Sequence, residues 1–486
     1  MGTGTKETAR AAGPGAADPA GPHGGSGALR AALSSRQISM IALGGVIGTG
    51  LFLGSGQAIS LAGPAVVLAY AAAAVVALVV TYALAEMTAA HPRAGGFGAL
   101  AHIHLGPLAG FVQRWVYWIA QVINIGSEAV AAGMYTRMWW PGLPLWIPVA
   151  VFSLAMVGVN VLSVAFFGTF EYWFAMIKVG ALVVLLSLGA VAILFGLPGQ
   201  AAVGTSALVG HGGLAPNGLT GLWLATTMAS FSYIGTEALS LTAAESSDPV
   251  RDIPRAARMT VFRLTAFSVL GIAVVVMIVP WTEAGGAQGV VQSPFVRLFG
   301  SAGLPAAATI MNLIVLVAAL SAMNTNLFAT ARTLYSLGSD GWAPARLTRL
   351  SKRGTPVGAL LLSAVGALGA ILVSVVSPDR VFAIMIAVAL FSALVTWLVI
   401  LATHVAFRRG RAADAPALPI RLSGAPWTTL AAAAFVVAVL VTMAFTPYFR
   451  VGLLAGGPLL ALVTAAYFVV RARGICRKPP RPRSAR

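Results

Sequence analysis

The sequence predicts an all-α integral membrane protein with twelve transmembrane helices. Three observations carry this. The chain of 486 residues is 58% hydrophobic and only 9% charged, where a soluble domain carries about 25% charged residues. Its mean hydropathy is +0.88. Its basic residues also segregate between alternate loops, as the loops of a multi-pass protein do.

A bilayer-spanning helix needs about 20 mostly apolar residues. Twelve windows qualify: 37–60, 64–88, 111–138, 145–165, 171–196, 217–245, 260–281, 304–330, 357–376, 381–406, 427–446 and 451–471. The last two are separated by the polar turn Thr446-Pro447-Tyr448-Phe449-Arg450. Before them, residues 1–34 are rich in Gly, Ala and Pro with no apolar core, and read as a disordered cytoplasmic tail rather than a cleaved signal peptide. Residues 35–471 form the membrane domain, with extra helices over 427–471, and 472–486 form a basic cytoplasmic tail. Loop 2–3, His91 to Gly110, contains a short helix suited to the interface. Loops 5–6 and 7–8 are the longest outer ones and read as simple connectors.

With the N-terminus placed inside, 26 of the 31 Lys and Arg residues fall on the inner face. The outer loops hold 4: Arg137, Arg297, Arg380 and Arg450. Lys178 lies inside a span. This asymmetry puts both termini in the cytoplasm; the expected location is a cell membrane, the cytoplasmic membrane of a bacterium. It also accounts for the net charge of +18 without nucleic acid, as topogenic charge that can contact anionic lipid. The one cysteine, Cys476, allows neither an internal disulfide nor a cysteine metal site, and the six histidines lack ligand spacing. No metal or cofactor is expected, and no catalytic constellation supports an enzyme.

Span 1 contains Gly44, Gly45, Gly48, Gly50 and Gly54. Each glycine costs a helix roughly 1 kcal/mol relative to Ala. A broken helix also bares backbone groups that hydrocarbon does not satisfy. Span 6 has a matching interruption, Phe231-Ser232-Tyr233-Ile234-Gly235-Thr236-Glu237, and the two share Ile-Gly-Thr. Spans 1 and 6 run in opposite directions, so spans 1–5 (about 37–196) and 6–10 (about 217–406) form two inverted halves. Interrupted helices in corresponding places of two such halves point to the binding site of a secondary transporter. Close glycine-mediated helix packing is the competing explanation.

The chemistry of the breaks suits a zwitterion. A half-helix starting near Gly48 offers free N–H groups and a positive dipole end to a carboxylate, with the Thr49 hydroxyl beside them. Half-helices ending near Val46 and Ile234 offer carbonyls to an ammonium. Phe231 and Tyr233 flank the second break, where an aromatic ring could lie over bound substrate or simply pack.

Ionisable groups within spans are functional candidates. Lys178 is seven residues past Glu171, about 10 Å deep at 1.5 Å per residue. Removing an ammonium from water disfavours its charged form, so Lys178 could exchange a proton, unless it snorkels to the interface. Glu128 lies mid-span 3, where it could bind substrate, pair with a cation or hold a proton. Glu237 could accept backbone N–H bonds at the break or relay protons. Glu86, near the inner end of span 2, reads as an interface or structural residue.

The run Gly-Gly-Val-Ile-Gly-Thr-Gly-Leu-Phe-Leu-Gly (44–54) resembles the helix 1 signature of the amino acid–polyamine–organocation superfamily, amino acid transporter branch. Further similar segments follow in register: 85–92, 167–178, 231–237, 319–326, 333–344 and 397–409. The resemblance spans roughly 34–471. It implies a leucine-transporter-type fold of two inverted five-helix repeats plus two helices, and uptake of L-amino acids driven by protons. It places the substrate carboxylate on Gly48, Thr49 and Gly50, and the amine on carbonyls of Val46, Phe231 and Ile234. Phe231 would be an aromatic gate. Lys178 would stand where sodium-coupled relatives hold a sodium ion. Gln121, Asn124 and Ile125 on span 3, with Asn324 and Asn326 on span 8, would line the side-chain pocket. Many relatives have Ala-Phe-Gly where this chain has Ser-Tyr-Ile.

The expected function is therefore a proton-coupled amino acid permease working by alternating access, with Lys178, Glu128 and Glu237 as proton-coupling groups. Its partners are an amino acid, a proton and membrane lipid. A mostly neutral pocket favours neutral or aromatic amino acids. An amino acid/product exchanger and a non-transporting amino acid sensor are the alternatives.

Overall fold

The computed structural model describes residues 48–91, 96–162, 164–196, 202, 204–242, 248–284, 293–301, 305–376, 381–411 and 418–472. All regular structure among them is helical. Val46, the two tails, and Arg93, Arg380 and Cys476 lie outside them.

The first half begins with α1 (Thr49–Phe52) and α2 (Gly54–Ala62), then α3 (Val66–Ala90), the short α4 (Phe97–Leu105), α5 (Pro107–Thr136), α6 (Trp146–Leu162) and α7 (Val164–Leu194). After α8 (Ser206–Val209), α9 (Gly218–Phe231) stops at the second interruption and is followed by α10 (Leu239–Thr242). Next come α11 (Pro249–Ile278), α12 (Trp281–Ala284), α13 (Pro294–Ser301) and α14 (Pro305–Ser339). The chain continues through α15 (Val357–Ser363), α16 (Val365–Val376), α17 (Val381–Gly410), α18 (Trp427–Phe445) and α19 (Pro447–Ala472). Seven helical segments among the described residues are long and apolar enough to cross a membrane: Thr49–Ala90, Phe166–Leu194, Ala306–Ser339, Val357–Val376, Val381–Gly410, Trp427–Phe445 and Phe449–Ala472.

α5 is the centre, buried between α14 and α17. Small residues make this close packing possible. Ala129, Ala131 and Ala132 on α5 and Ala318, Ala319 and Ala322 on α14 are all buried. The outer helices show the reverse pattern. Leu194 on α7, Leu368 and Leu372 on α16, and Val441 on α18 are exposed. Apolar side chains of that size facing outward from several helices form a surface suited to lipid.

Two boundaries and one connector differ from the sequence reading, each for a local reason. α11 begins at Pro249, not near 260, because Asp248 caps it through Arg251 N and Pro249 takes the first position. Arg251, Arg255 and Arg258 are therefore on a helix rather than in a loop. The polar turn expected over 446–450 narrows to Thr446, because Pro447 again suits a first helical position. The outer connectors are more than connectors: α13 reaches the break between α1 and α2. There Ser293 Oγ donates to the Phe52 carbonyl at 2.5 Å, and Phe295 meets Phe52 edge-on at 5.1 Å.

Candidate functional site

The two interruptions meet. Gly48 is extended (φ −128°, ψ −155°), and α1 starts at Thr49 as a single turn ending at Phe52. On the other side α9 ends at Phe231, three residues before the expected Ile234. Ser232, Tyr233 and Ile234 then close tight turns onto Ala229, Ser230 and Phe231 carbonyls at 2.9, 3.2 and 3.2 Å. Gly235 reverses the chain at φ +105°, which other residues rarely adopt. A Cβ placed on Gly50 would stand 2.8 Å from Ser232 Cα and 3.2 Å from the Phe231 carbonyl oxygen. Gly50 is thus the position at which the two broken segments touch backbone to backbone. The packing role of glycine and the opened backbone occur together here.

Glu128 of α5 faces this junction. Thr49 Oγ1 donates to Glu128 Oε1 at 3.0 Å. Oε2 has no hydrogen-bond partner among the described residues. The carboxylate therefore stands where the sequence places a substrate carboxylate, at the open end of α1. On α14, Ala322 Cβ would stand 2.9 Å from a Cβ on Gly48. Asn326 lies one turn along from Ala322 on the same face, buried, with Nδ2 unpartnered among the described residues.

A second group of residues holds the end of the break. Both Glu237 oxygens accept from Gly235 N at 3.1 Å. Trp397 Nε1 on α17 and Gln121 Nε2 on α5 also donate to Glu237, at 3.3 and 3.4 Å. Asn124 Nδ2 donates to Gln121 Oε1 at 3.4 Å, and Ser127 donates to Asn124 Oδ1 at 2.9 Å. Ile125 is fully buried beside them. Of the two roles open to Glu237, the geometry matches the backbone-accepting one.

Tyr233 does not overlie the junction. Its hydroxyl donates to the Tyr70 carbonyl on α3 at 3.0 Å, and the Tyr70 hydroxyl pairs with Ser232 Oγ at 3.1 Å. Ser232 and Tyr233 therefore anchor the break to α3. Phe231 stays at the junction, its ring edge 3.1 Å from where a Gly50 Cβ would be.

A third cluster lies between α7, α14 and α6. Lys178 Nζ donates to Ser321 Oγ at 2.7 Å and lies 4.0 Å from Glu171 Oε1. Ser321 donates to Glu171 Oε1. Asn324 Nδ2 donates to Glu171 Oε2 at 3.2 Å, while its Oδ1 accepts from Asn160 Nδ2 at 2.7 Å. Lys178 and Glu171 are both fully buried, so Lys178 does not snorkel. Asn324 and Asn326, expected in one pocket, are two residues apart on a helix and so point about 200° apart. Asn324 joins the Lys178 cluster instead.

The sequence reading missed Glu171, Ser321 and Trp397. For Glu171 a signal existed: it is seven residues from Lys178, two turns along the same helix face. Glu86 sits in a structural cluster, accepting from Arg408 at 2.8 Å and Leu422 N at 2.9 Å, with His404 Nε2 at 3.2 Å. No group of three or more His, Cys, Asp or Glu residues capable of holding a metal occurs among the described residues.

Comparison with known proteins gives one consistent result. The sequence profile described as amino acid permease matches residues 37–476. The chain is 38% identical to a γ-aminobutyric acid permease of Bacillus subtilis, over 93% of this chain and 95% of that protein. It is 35% identical to a probable threonine/serine transporter of the same organism, over 91% and 95%. It is 36% identical to an aromatic amino acid transport protein of Escherichia coli, over 86% and 91%.

Proposed function

The chain belongs to the amino acid permease family, and from that premise we propose that it imports neutral L-amino acids by proton symport through alternating access. As a family member it is a multi-pass membrane transporter of amino acids and not an enzyme. In this reading the twelve apolar windows are twelve spans, 37–196 and 217–406 are inverted repeats, and both termini are cytoplasmic in a bacterial cell membrane.

The observation that carries the proposal is the backbone contact of the two interruptions at Gly50 and Ser232, with Glu128 at the free end of α1. The substrate carboxylate takes the amides of Gly48 to Gly50 and the Thr49 hydroxyl. The ammonium takes carbonyls at the end of α9, Phe231 and Ile234, together with Val46. The substrates named for the three relatives all carry a carboxylate and an amine and differ in the rest. That pattern supports a site whose backbone reads the shared groups. Gln121, Asn124, Ile125 and Asn326 are assigned to the wall that reads the remainder.

Glu128 links this site to the proton. Two ionised carboxylates cannot share the Thr49 hydroxyl without strong repulsion. At 4 Å and an effective dielectric constant of 20 it amounts to about 4 kcal/mol. Protonating Glu128 removes that repulsion, so a proton and a substrate carboxylate enter together. Lys178 is assigned the second proton site.

The test is thermal stabilisation of the purified protein by each of the twenty amino acids and γ-aminobutyrate, then labelled uptake of the stabilising compounds into proteoliposomes. Accumulation that follows an imposed inward proton gradient is expected. Stabilisation without any transport would make the protein a sensor, and counterflow without proton movement would make it an exchanger.

A further inference from the structure

The buried cluster of α7 and α14 holds a residue that the proposed mechanism has not used. We infer that Glu171 is the positioning partner of Lys178, and that Lys178, Ser321 and Glu171 act as one proton-carrying unit. This rests on the reading of Lys178 as a coupling group.

Hydrogen-bond chemistry fixes the direction of the chain. An ammonium has donors only, so Ser321 Oγ must accept from Lys178 Nζ, at 2.7 Å. The single hydroxyl proton of Ser321 then goes to Glu171 Oε1. The sequence of atoms is N–H to O–H to carboxylate. Asn324 Nδ2 occupies the second carboxylate oxygen at 3.2 Å, and Asn160 holds Asn324 by its Oδ1 at 2.7 Å. The carboxylate is thus oriented by two helices other than its own, and Lys178 lies 4.0 Å from it directly.

The transfer balances. As an Nζ–H bond of Lys178 breaks, an O–H bond forms on Ser321. As the original Ser321 O–H bond breaks, one forms on Glu171 Oε1. Lys178 ends as a neutral amine and Glu171 as a neutral acid. The unit carries zero net charge in both forms, so neither form strands an isolated charge in the protein interior. The neutral Lys178 amine then takes up the transported proton and the Glu171 acid releases one, so one proton enters, one leaves and the ion pair is restored. Both groups are fully buried, and a buried charge is least costly when paired and hydrogen-bonded.

The unit is mechanically joined to the substrate junction. Ser321 is adjacent in sequence to Ala322, which packs on Gly48. A displacement of α14 that changes the Gly48 contact therefore also changes the Lys178 and Glu171 bonds.

The experiment uses the full chain in proteoliposomes, with labelled L-threonine, L-phenylalanine and γ-aminobutyrate as parallel probes. Native protein is compared with Glu171→Gln, Ser321→Ala and Lys178→Gln for gradient-driven accumulation, the pH profile of uptake, and counterflow. Glu171→Gln and Ser321→Ala are expected to lose at least tenfold in accumulation and to show a flattened pH profile, with counterflow still measurable. A merely structural ion pair would lower the amount of inserted protein without changing the pH profile of what remains. If Glu171→Gln fails to insert, Ser321→Ala decides. Native accumulation and a native pH profile in the Glu171 and Ser321 variants, with coupling lost in Lys178→Gln, overturn this inference alone. Native behaviour in Lys178→Gln overturns the coupling reading with it.

Discussion

Thr49 and Glu128 are 79 residues apart in sequence and joined by one hydrogen bond of 3.0 Å across the junction of α1 and α5. The first is the expected ligand of a substrate carboxylate, and the second is a carboxylate already in that position. Three predictions follow from this and neighbouring contacts, and a fourth from α4.

Thr49→Val keeps the shape and removes the hydroxyl. A hydrogen bond to a charged group contributes roughly 1.5–3 kcal/mol, and 1.4 kcal/mol is about tenfold. The apparent KM is expected to rise about tenfold or more for every transported amino acid alike. Uptake kinetics for three substrates check this, and a defect confined to one substrate would count against carboxylate binding.

Gly50→Ala forces a methyl group to within 2.8 Å of the Ser232 backbone. Overpacking of this kind costs typically about 1–3 kcal/mol. The variant is expected to melt earlier than the native protein and to lose most uptake. Native melting and uptake would show that the two interruptions can separate freely.

Tyr233→Phe and Phe231→Ala separate anchoring from gating. The first removes the bond to the Tyr70 carbonyl, worth about 1 kcal/mol of stability, and should leave KM unchanged. The second removes the ring at the junction and should change KM. Equal effects of the two on KM would place Tyr233 in the binding site.

His102 and His104 on α4, outside the spans, titrate at lower pH than a free histidine. Burial is the larger cause for both, followed by Arg114 for His102 and His91 for His104. The unfolded chain, titrating near the ordinary value of about 6.5, therefore binds protons that the folded one refuses. Stability contributed here is intact above that value and falls as pH drops below it, towards the lower folded values. The melting temperature of the purified protein should decline between about pH 7 and 5. A double His102→Gln, His104→Gln variant should show a shallower decline.

Much of this was legible in sequence because it depends on local chemistry. Gly50 and Gly235 mark the breaks, the first because a Cβ there would meet the Ser232 backbone and the second because few other residues adopt its φ of +105°. What was not legible depends on helical phase and tertiary partners. Asn324 and Asn326 look equivalent in a hydropathy window and point to different clusters. Glu171 looked like a marker of the membrane boundary until its burial beside Lys178 made it a counter-charge. Tyr233 stayed open between covering substrate and packing because nothing in the sequence names Tyr70 as its partner. The start of α11 escaped because its first turns are basic and an apolar window cannot register them.

The bond from Ser293 to the Phe52 carbonyl has a consequence for how this chain can be edited. An unmet carbonyl inside hydrocarbon costs several kcal/mol, and here the donor comes from a segment that no apolar window contains. Trimming or grafting across that outer segment is thus equivalent to mutating the interrupted helix itself. The interval between two spans serves as part of the solvent for a third.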